Sequence, residues 1–286
     1  MKKNVLKTIG IIILSTLGVL LLFVAVVGSG NYIQEHFNPL LGSLFMILFP
    51  VLLYIGIRIF HKKVNKLPVE ATGFGFDKFF KNIFIGAGIA IAIMAVNVLL
   101  NIIIFDAKFH FISFKESFLK ELIQLSLSLI IVGIWEEFYF RGLVFTTFLR
   151  RKFGFHLSAL LSSVIFSLIH FQSFDMSETS YFWYLGIIFI GYIMVYIYVL
   201  TGSIWSVASF HFLWNFIATL LTPDENKIGL FVVDNMNEIS IPFDYVVTSV
   251  LGILLLAIIT TSRKGKIKRR VELFENKILN ANIEQI

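Results

Sequence analysis

The chain contains no cysteine among its 286 residues. It therefore has no disulfide framework, no cysteine nucleophile and no zinc site built from thiolates. Charged residues are also scarce, at 15% of the chain, whereas a soluble domain carries about 25%. Hydrophobic residues make up 57%, and the mean hydropathy is +0.86. This composition excludes a disordered chain and argues against a water-soluble globule.

Apolar runs long enough to cross a bilayer recur along the sequence. With about 20 residues per helical crossing as the criterion, we predict an all-α, polytopic membrane protein of about eight transmembrane helices. They are expected at 5–27, 39–60, 83–105, 118–145, 157–171, 181–200, 203–222 and 243–262. The first run is too long for the apolar part of a signal peptide, so we expect an anchoring helix there.

The basic residues predict the orientation of these helices. With the N-terminus in the cytoplasm, 19 of the 24 lie inside, four lie outside and Arg141 lies within a span. Since this bias follows the positive-inside rule, we expect both termini in the cytoplasm and the protein in the bacterial plasma membrane. The basic patches are expected to contact anionic lipid headgroups of the bilayer, and no nucleic-acid partner is predicted.

Three parts are expected along the chain. Residues 1–112 carry the first three transmembrane helices and a short interfacial helix, which the phenylalanines and lysines of 74–82 indicate. Residues 113–222 are predicted to form the catalytic core. Residues 223–286 carry the last transmembrane helix and a basic cytoplasmic tail, in which 267–286 are expected to form an amphipathic helix.

Ionisable side chains are costly at the middle of a bilayer, so those deep within the predicted helices are candidates for function. They and one nearby amide are Glu136, Glu137, Arg141, His170, His211 and Asn215. Glu137 and Arg141 are one helical turn apart and can form an ion pair, which leaves Glu136 free. Consecutive residues point about 100° apart, so Glu136 and Glu137 are not expected to face one small cavity.

The remaining groups can converge in a single buried cavity that faces the cytoplasm. Glu136 is suited there to act as a general base. His211 and Asn215, also one turn apart, are suited to donate hydrogen bonds to a developing oxyanion. Such a set favours hydrolysis. Each element alone has a structural interpretation, since ion pairs clamp helices and intramembrane histidines join them. The joint occurrence favours a functional site.

Three motifs occur in order within this core: Glu136-Glu137-x-x-x-Arg141, Phe166-x-x-x-His170 and His211-x-x-x-Asn215. Over residues 118–222 the chain resembles the family of CAAX prenyl proteases and bacteriocin-processing enzymes, also called CPBP or Abi proteases. The resemblance implies an eight-helix intramembrane endopeptidase. Glu136 would activate water, with His170 positioning it. His211 and Asn215 would form the oxyanion site, and the other motif residues would be supporting ones.

The resemblance leaves the cofactor and the substrate open. We expect no cofactor; the alternative is a divalent metal such as zinc held by Glu136, His170 and His211, because two histidines and one glutamate match a catalytic zinc set. The sequence has no H-E-x-x-H motif.

The expected partner is a membrane-associated peptide or protein, for example a bacteriocin or signalling peptide. A non-catalytic immunity or binding protein is a second hypothesis, and a proton-coupled transporter is a less favoured third.

Overall fold

The computed structural model describes residues 2–111, 118–170, 178–221, 229–234, 246–247, 249–250, 252–253 and 264–281. In these ranges the helices are α1 (Lys2–Phe23), α2 (Ser29–His36), α3 (Pro39–Met46), α4 (Leu48–Phe60), α5 (Phe79–Phe105), α6 (Phe118–Glu137), α7 (Thr146–Arg150), α8 (Phe155–Ile169), α9 (Glu178–Thr201), α10 (Ile204–Leu221) and α11 (Lys264–Asn280). Segments of π-helix occur at Val24–Gly28, His61–Asn65 and Phe138–Phe145, and a 3₁₀ turn at Val69–Thr72. The fold is thus overwhelmingly helical, as predicted.

Six helical runs in the described part of the chain are long and apolar enough to cross a bilayer. They are Val5–His36, Leu41–Asn65, Phe79–Phe105, Phe118–Arg150, Tyr181–Thr201 and Ile204–Leu221. The predicted fifth span corresponds to α8, whose 15 residues extend about 22 Å and fall short of a full crossing. The predicted eighth span, 243–262, lies mostly outside the described residues. The chain is an integral, polytopic membrane protein.

The outer surfaces of the spans are apolar. Leu14, Leu21, Phe84 and Ile103 each leave at least 70% of their surface exposed. A soluble protein rarely exposes large apolar patches, whereas the hydrocarbon core of a bilayer solvates them. These faces of α1 and α5 therefore contact lipid, and the polar residues are turned inwards.

Helices α5 and α10 form the closest helix pair near the site. Small residues permit this approach: a Cβ atom added at Gly86 would lie 1.8 Å from the carbonyl oxygen of Ser206. The hydroxyl of Ser209 donates a hydrogen bond of 2.7 Å to the carbonyl oxygen of Ile83. Close backbone contact and interhelical hydrogen bonds are the usual means of association between transmembrane helices.

The two ends of the bundle carry different structures. At one end, which we call the ladder face, strands β1 (Lys108–Phe111) and β2 (Phe231–Asp234) pair antiparallel, with Lys108 opposite Asp234. At the other end, the tail face, α11 packs against α7 and α9. There the Phe274 ring lies 5.1 Å from that of Tyr198. Arg150 donates a 2.8 Å hydrogen bond to the carbonyl oxygen of Ile278.

One local prediction is wrong and another is confirmed. The interfacial helix expected over 74–82 is not formed: residues 74–78 are irregular, and α5 begins at Phe79. Lys78 adopts a left-handed backbone with φ of 56°, which cannot continue a right-handed helix. The amphipathic tail helix is present as α11 over Lys264–Asn280, with Ile267, Phe274 and Ile278 buried, and the last five residues of the predicted range 267–286 lie outside the described part of the chain. The three-part division stays a prediction, although α5 packs on α10 and β1 pairs with β2 across its boundaries.

Candidate active site

The site is built where α6 changes into a π-helix. Glu136 and Glu137 are the last two residues of α6, and the π-helical segment Phe138–Phe145 follows directly. A π-helix alters the regular hydrogen-bond ladder, and side chains of neighbouring segments bind its carbonyl groups. The Ser162 hydroxyl donates to Phe140 O at 3.0 Å, and His61 Nε2 lies 2.9 Å from Gly142 O. These contacts hold the wide turn that follows the two glutamates.

The predicted ion pair between Glu137 and Arg141 is present. Arg141 Nη1 lies 2.7 Å from Glu137 Oε1, and the two side chains are 1% and 0% exposed. Arg141 Nη2 also donates to the Gly191 carbonyl oxygen at 3.0 Å, and its Cζ lies 4.7 Å from the centre of the Phe166 ring. The guanidinium therefore joins the π-helix to α8 and α9.

His211 lies between the two glutamates. Its Nδ1 is 2.8 Å from Glu137 Oε1, and its Nε2 is 3.7 Å from Glu136 Oε2. The two carboxylates, which were not expected to face one small cavity, both approach the same imidazole ring, and neither borders the cavity described below. The two side chains leave the helix in different directions, but the imidazole ring is wide enough for each carboxylate to approach a different nitrogen.

His170 approaches Glu136 from another side. It follows the last residue of α8, and its Nδ1 lies 2.8 Å from the Phe166 carbonyl oxygen. Its ring centre lies 4.8 Å from that of Phe166, in an edge-on arrangement. These two contacts direct Nε2 towards Glu136, where it lies 3.9 Å from Oε2.

The partners of the two Nδ1 atoms fix the tautomers of both histidines. A carbonyl and a carboxylate oxygen only accept hydrogen bonds, so Nδ1 of His170 and Nδ1 of His211 carry the hydrogen. In the neutral ring, each Nε2 then presents a lone pair. Glu136 Oε2 is buried and has no hydrogen-bond partner among the described residues. Glu136 Oε2 thus lies within 4 Å of two imidazole nitrogens, and one water molecule can donate one hydrogen bond to Oε2 and the other to one of these nitrogens.

A small cavity adjoins this cluster. It has a volume of about 160 Å³ and is bordered by Phe166, His170, His211 and Asn215. The rest of its wall is mainly apolar: Trp183, Ile187, Ile190, Met194, Phe210 and Trp214. Asn215 thus lies on the same wall as His211, one turn further along α10. The structure brings Glu136 and the two histidines together and places Asn215 beside the adjoining cavity.

The alternative of a metal ion concerns Glu136, His170 and His211. Two imidazoles and a carboxylate are ligand types that zinc binds. Within the described ranges, however, no group of three or more His, Asp or Glu side chains is arranged to hold a metal ion. A metal ion held by these three residues stays an alternative prediction, and we derive no step through one.

Comparison with known families bears on the same segment. Residues 118–217 match the family model described as Type II CAAX prenyl endopeptidase Rce1-like. The predicted family resemblance is confirmed. The Rce1-like segment runs from the start of α6 into α10 and contains all seven motif residues. At the level of the family, this segment is similar to CAAX-type endopeptidases. Searches of curated proteins and of solved structures gave no match.

Sequence reasoning missed a second layer of polar residues around the Rce1-like segment. His61 and Asn65 are one turn apart, and Asn65 Nδ2 donates to Thr147 Oγ1 at 2.9 Å. Tyr139 Oη lies 2.6 Å from Thr16 Oγ1, which links α1 to the π-helix. The spacing of His61 and Asn65 was a usable signal. No pattern in the sequence indicated the contact between Tyr139 and Thr16, because the two residues are 123 positions apart.

Proposed function

We propose that the protein is an intramembrane endopeptidase that hydrolyses a peptide bond of a membrane-associated peptide or protein, with Glu136 as the general base. One observation carries this proposal: Glu136 Oε2, which has no hydrogen-bond partner among the described residues, is buried between two imidazole Nε2 atoms at 3.7 and 3.9 Å. An isolated carboxylate is costly inside a membrane, and such residues are retained mainly for function. The match of this segment to an endopeptidase family supports the same conclusion.

The reaction begins with water. In the proposed mechanism, a water molecule donates one hydrogen bond to Glu136 Oε2 and the other to His170 Nε2. Glu136 takes a proton as the water oxygen attacks the carbonyl carbon of the scissile bond. When the carbon–nitrogen bond breaks, protonated Glu136 returns this proton to the leaving amine. The products are a carboxyl terminus and a new amino terminus, so the atoms and protons balance.

The oxyanion of the tetrahedral intermediate requires donors. The Asn215 amide supplies an N–H group from the cavity wall. His211 already donates from Nδ1 to Glu137 at 2.8 Å, so it can donate from Nε2 only as the imidazolium. Glu137 thereby has a positioning role in addition to its pairing with Arg141.

The chemistry of the cavity wall bears on the substrate. At about 160 Å³ it is smaller than the roughly 300–1,000 Å³ of pockets that hold a whole ligand. It therefore accommodates one apolar side chain beside the scissile bond. We propose as substrate the apolar terminus of a small membrane protein or a bacteriocin-like or signalling peptide. The proposed location is a bacterial plasma membrane, with both termini in the cytoplasm.

The test compares peptides from cells that express the wild-type protein or Glu136→Gln at matched levels. Glu121→Gln is the matched control, because Glu121 lies on the same helix, 15 residues or about 22 Å from Glu136. We expect specific cellular or secreted fragments to vanish with Glu136→Gln and to persist with Glu121→Gln. Mass spectrometry of both pools identifies the fragments and their ends.

Two other outcomes would reject the proposal. Unchanged fragments with Glu136→Gln would remove the assigned base. Identical peptide pools, accompanied by the loss of resistance to a peptide in the mutant cells, would instead favour a binding or immunity function.

A further inference from the structure

Helix α9 supplies one wall of the cavity beside the candidate site. Trp183, Ile187, Ile190 and Met194 border the cavity, and successive members of this set are four, three and four positions apart. This spacing places all four on one face of the helix. Ile190 lies near the middle of α9 and is flanked along this face by Ile187 and Met194. The stripe therefore faces the cavity at mid-bundle.

Polar and aromatic contacts hold the walls in place. Arg141 Nη2 donates to the Gly191 carbonyl oxygen at 3.0 Å and lies 3.4 Å from Met194 Sδ. These contacts tie α9 to the buried ion pair of the site. On α10, the ring centres of Phe210 and Trp214 lie 5.8 Å apart, and both residues border the cavity. Walls that are locked by packing in this way can distinguish side chains by size.

The volume and the polarity of the cavity define what it can hold. Its volume is about 160 Å³, and an apolar cavity of about 150 Å³ that is lined by leucine, isoleucine and phenylalanine binds benzene. The cavity is thus large enough for the side chain of leucine, isoleucine, methionine or phenylalanine. The indole of tryptophan is larger than benzene. A charged side chain would lose its hydration against the apolar wall.

The cavity lies where the substrate residue before the scissile bond must be. In the proposed mechanism the oxyanion faces the Asn215 amide, and Asn215, His170 and His211 all border the cavity. The α-carbon of the residue before the scissile bond is attached directly to the attacked carbonyl carbon. The α-carbon of the following residue is attached to the leaving nitrogen instead. The side chain nearest to the cavity is therefore that of the residue whose carbonyl is attacked.

Ile190 is the wall residue best suited to limit the size of this side chain. It is 6% exposed and occupies the centre of the α9 stripe. A β-branched side chain in a helix has one strongly preferred χ1 rotamer, so it does not turn aside for a larger group. Met194, by contrast, has the unbranched and adaptable side chain of methionine.

We propose that this cavity binds the side chain of the substrate residue before the scissile bond, and that Ile190 is a specificity-determining residue. The proposal rests on the proposed function and narrows its substrate class. The substrate carries a medium-sized apolar residue at the position that becomes the new carboxyl terminus. Tryptophan and charged residues are excluded from this position.

The test compares the wild-type protein with Ile190→Ala and Ile190→Val. The matched control is Ile193→Ala, because Ile193 is a buried isoleucine of the same helix, 2% exposed, and is not one of the described residues that border the cavity. Mass spectrometry first maps the ends of the Glu136-dependent fragments in cells. A peptide that spans one mapped site is then made with leucine or tryptophan before the scissile bond. The initial rates of cleavage are measured with each purified protein in proteoliposomes.

We expect wild-type fragments to end in leucine, isoleucine, methionine or phenylalanine. A change of one methylene in an apolar pocket alters discrimination by about 10–200-fold. Ile190→Ala should therefore raise the ratio of the tryptophan rate to the leucine rate by about tenfold or more. Ile190→Val should raise it less, and Ile193→Ala should leave it unchanged. Where Ile190→Ala lowers the yield of folded protein, the smaller change Ile190→Val decides the outcome.

Several results would overturn the proposal. They are an unchanged ratio in both Ile190 variants, an equal rise with Ile193→Ala, and wild-type fragments that end in charged residues. A change of preference at the new amino terminus alone would assign the cavity to the residue after the scissile bond. In all these cases the fragments would still depend on Glu136, so the proposed function would stand. Fragments that persist with Glu136→Gln would reject the proposed function whatever the rate ratios.

Discussion

Glu137 Oε1 binds His211 Nδ1 at 2.8 Å, and the same oxygen pairs with Arg141 Nη1 at 2.7 Å. One buried atom therefore connects α10 to the π-helix that follows α6. Because both contacts involve a charged or polarised donor, they are stronger than neutral hydrogen bonds. The orientation of the His211 ring therefore depends on the Glu137 carboxylate, which Arg141 holds in place.

Arg141→Ala should destabilise the protein strongly. It would leave the Glu137 carboxylate buried with only His211 to bind it, and removal of one partner from a buried ion pair costs about 3–5 kcal/mol. Thermal unfolding in detergent measures the effect. The matched control is Lys108→Ala, because Lys108 pairs with Asp106 at 3.8 Å between side chains that are 61% and 81% exposed. Such exposed pairs contribute about 0–1 kcal/mol. Equal effects of the two substitutions would contradict the importance of the buried pair.

Gly86→Ala should separate α5 from α10. The added Cβ would lie 1.8 Å from the Ser206 carbonyl oxygen, a backbone atom that cannot move alone. We expect a large loss of folded protein and of Glu136-dependent cleavage. Gly88→Ala provides the control on the same helix, since nothing lies within 4 Å of its added Cβ. That substitution should be neutral, or stabilising by up to about 1 kcal/mol through helix propensity. Size-exclusion chromatography and thermal unfolding distinguish the two.

Phe274→Ala should detach α11 from the tail face. Phe274 is 5% exposed and packs against Tyr198 and Phe145, and truncation of a buried phenylalanine costs about 3–5 kcal/mol. Hydrogen exchange of the α11 amides should become faster. Leu273→Ala changes the neighbouring residue, which is 57% exposed, and should leave the exchange rates nearly unchanged. Similar acceleration in both variants would show that α11 is not held by the Phe274 side chain.

Tyr139→Phe should weaken the attachment of α1. It removes the contacts of Tyr139 Oη with Thr16 Oγ1 at 2.6 Å and with Ser15 Oγ at 3.4 Å. A loss of about 1 kcal/mol is expected, as for a typical hydrogen bond. Thr16→Val should have a similar effect, and the double substitution should cost less than the sum, since the two residues share one bond. Unfolding midpoints of the four proteins test the coupling; strict additivity would contradict a direct bond.

The sequence allowed those parts of the molecule to be predicted that depend on composition and local spacing. Long apolar runs identified the described spans, because a bilayer imposes a minimum helix length. The four-residue spacing of Glu137 and Arg141 predicted their ion pair. The helical spacing of the apolar residues in the tail predicted α11. Each of these features depends on the sequence of a single helix.

Features that depend on contacts between helices were not predictable in this way. The shared contact of His211 with both glutamates requires the relative rotation of α6 and α10, which the sequence does not encode locally. The predicted interfacial helix failed at Lys78, where a single left-handed residue overrode a favourable pattern.

The ladder between β1 and β2 has a consequence for the order of assembly. Phe111 and Phe231 lie opposite each other although they are 120 positions apart in the chain. The ribosome releases β1 before α6 and β2 after α10, so their pairing must wait until the intervening helices have been synthesised. Closing so long a loop also costs conformational entropy, which delays such contacts during folding. We therefore expect the ladder to form late in biogenesis, after the segment that carries Glu136, His170 and His211 has been inserted.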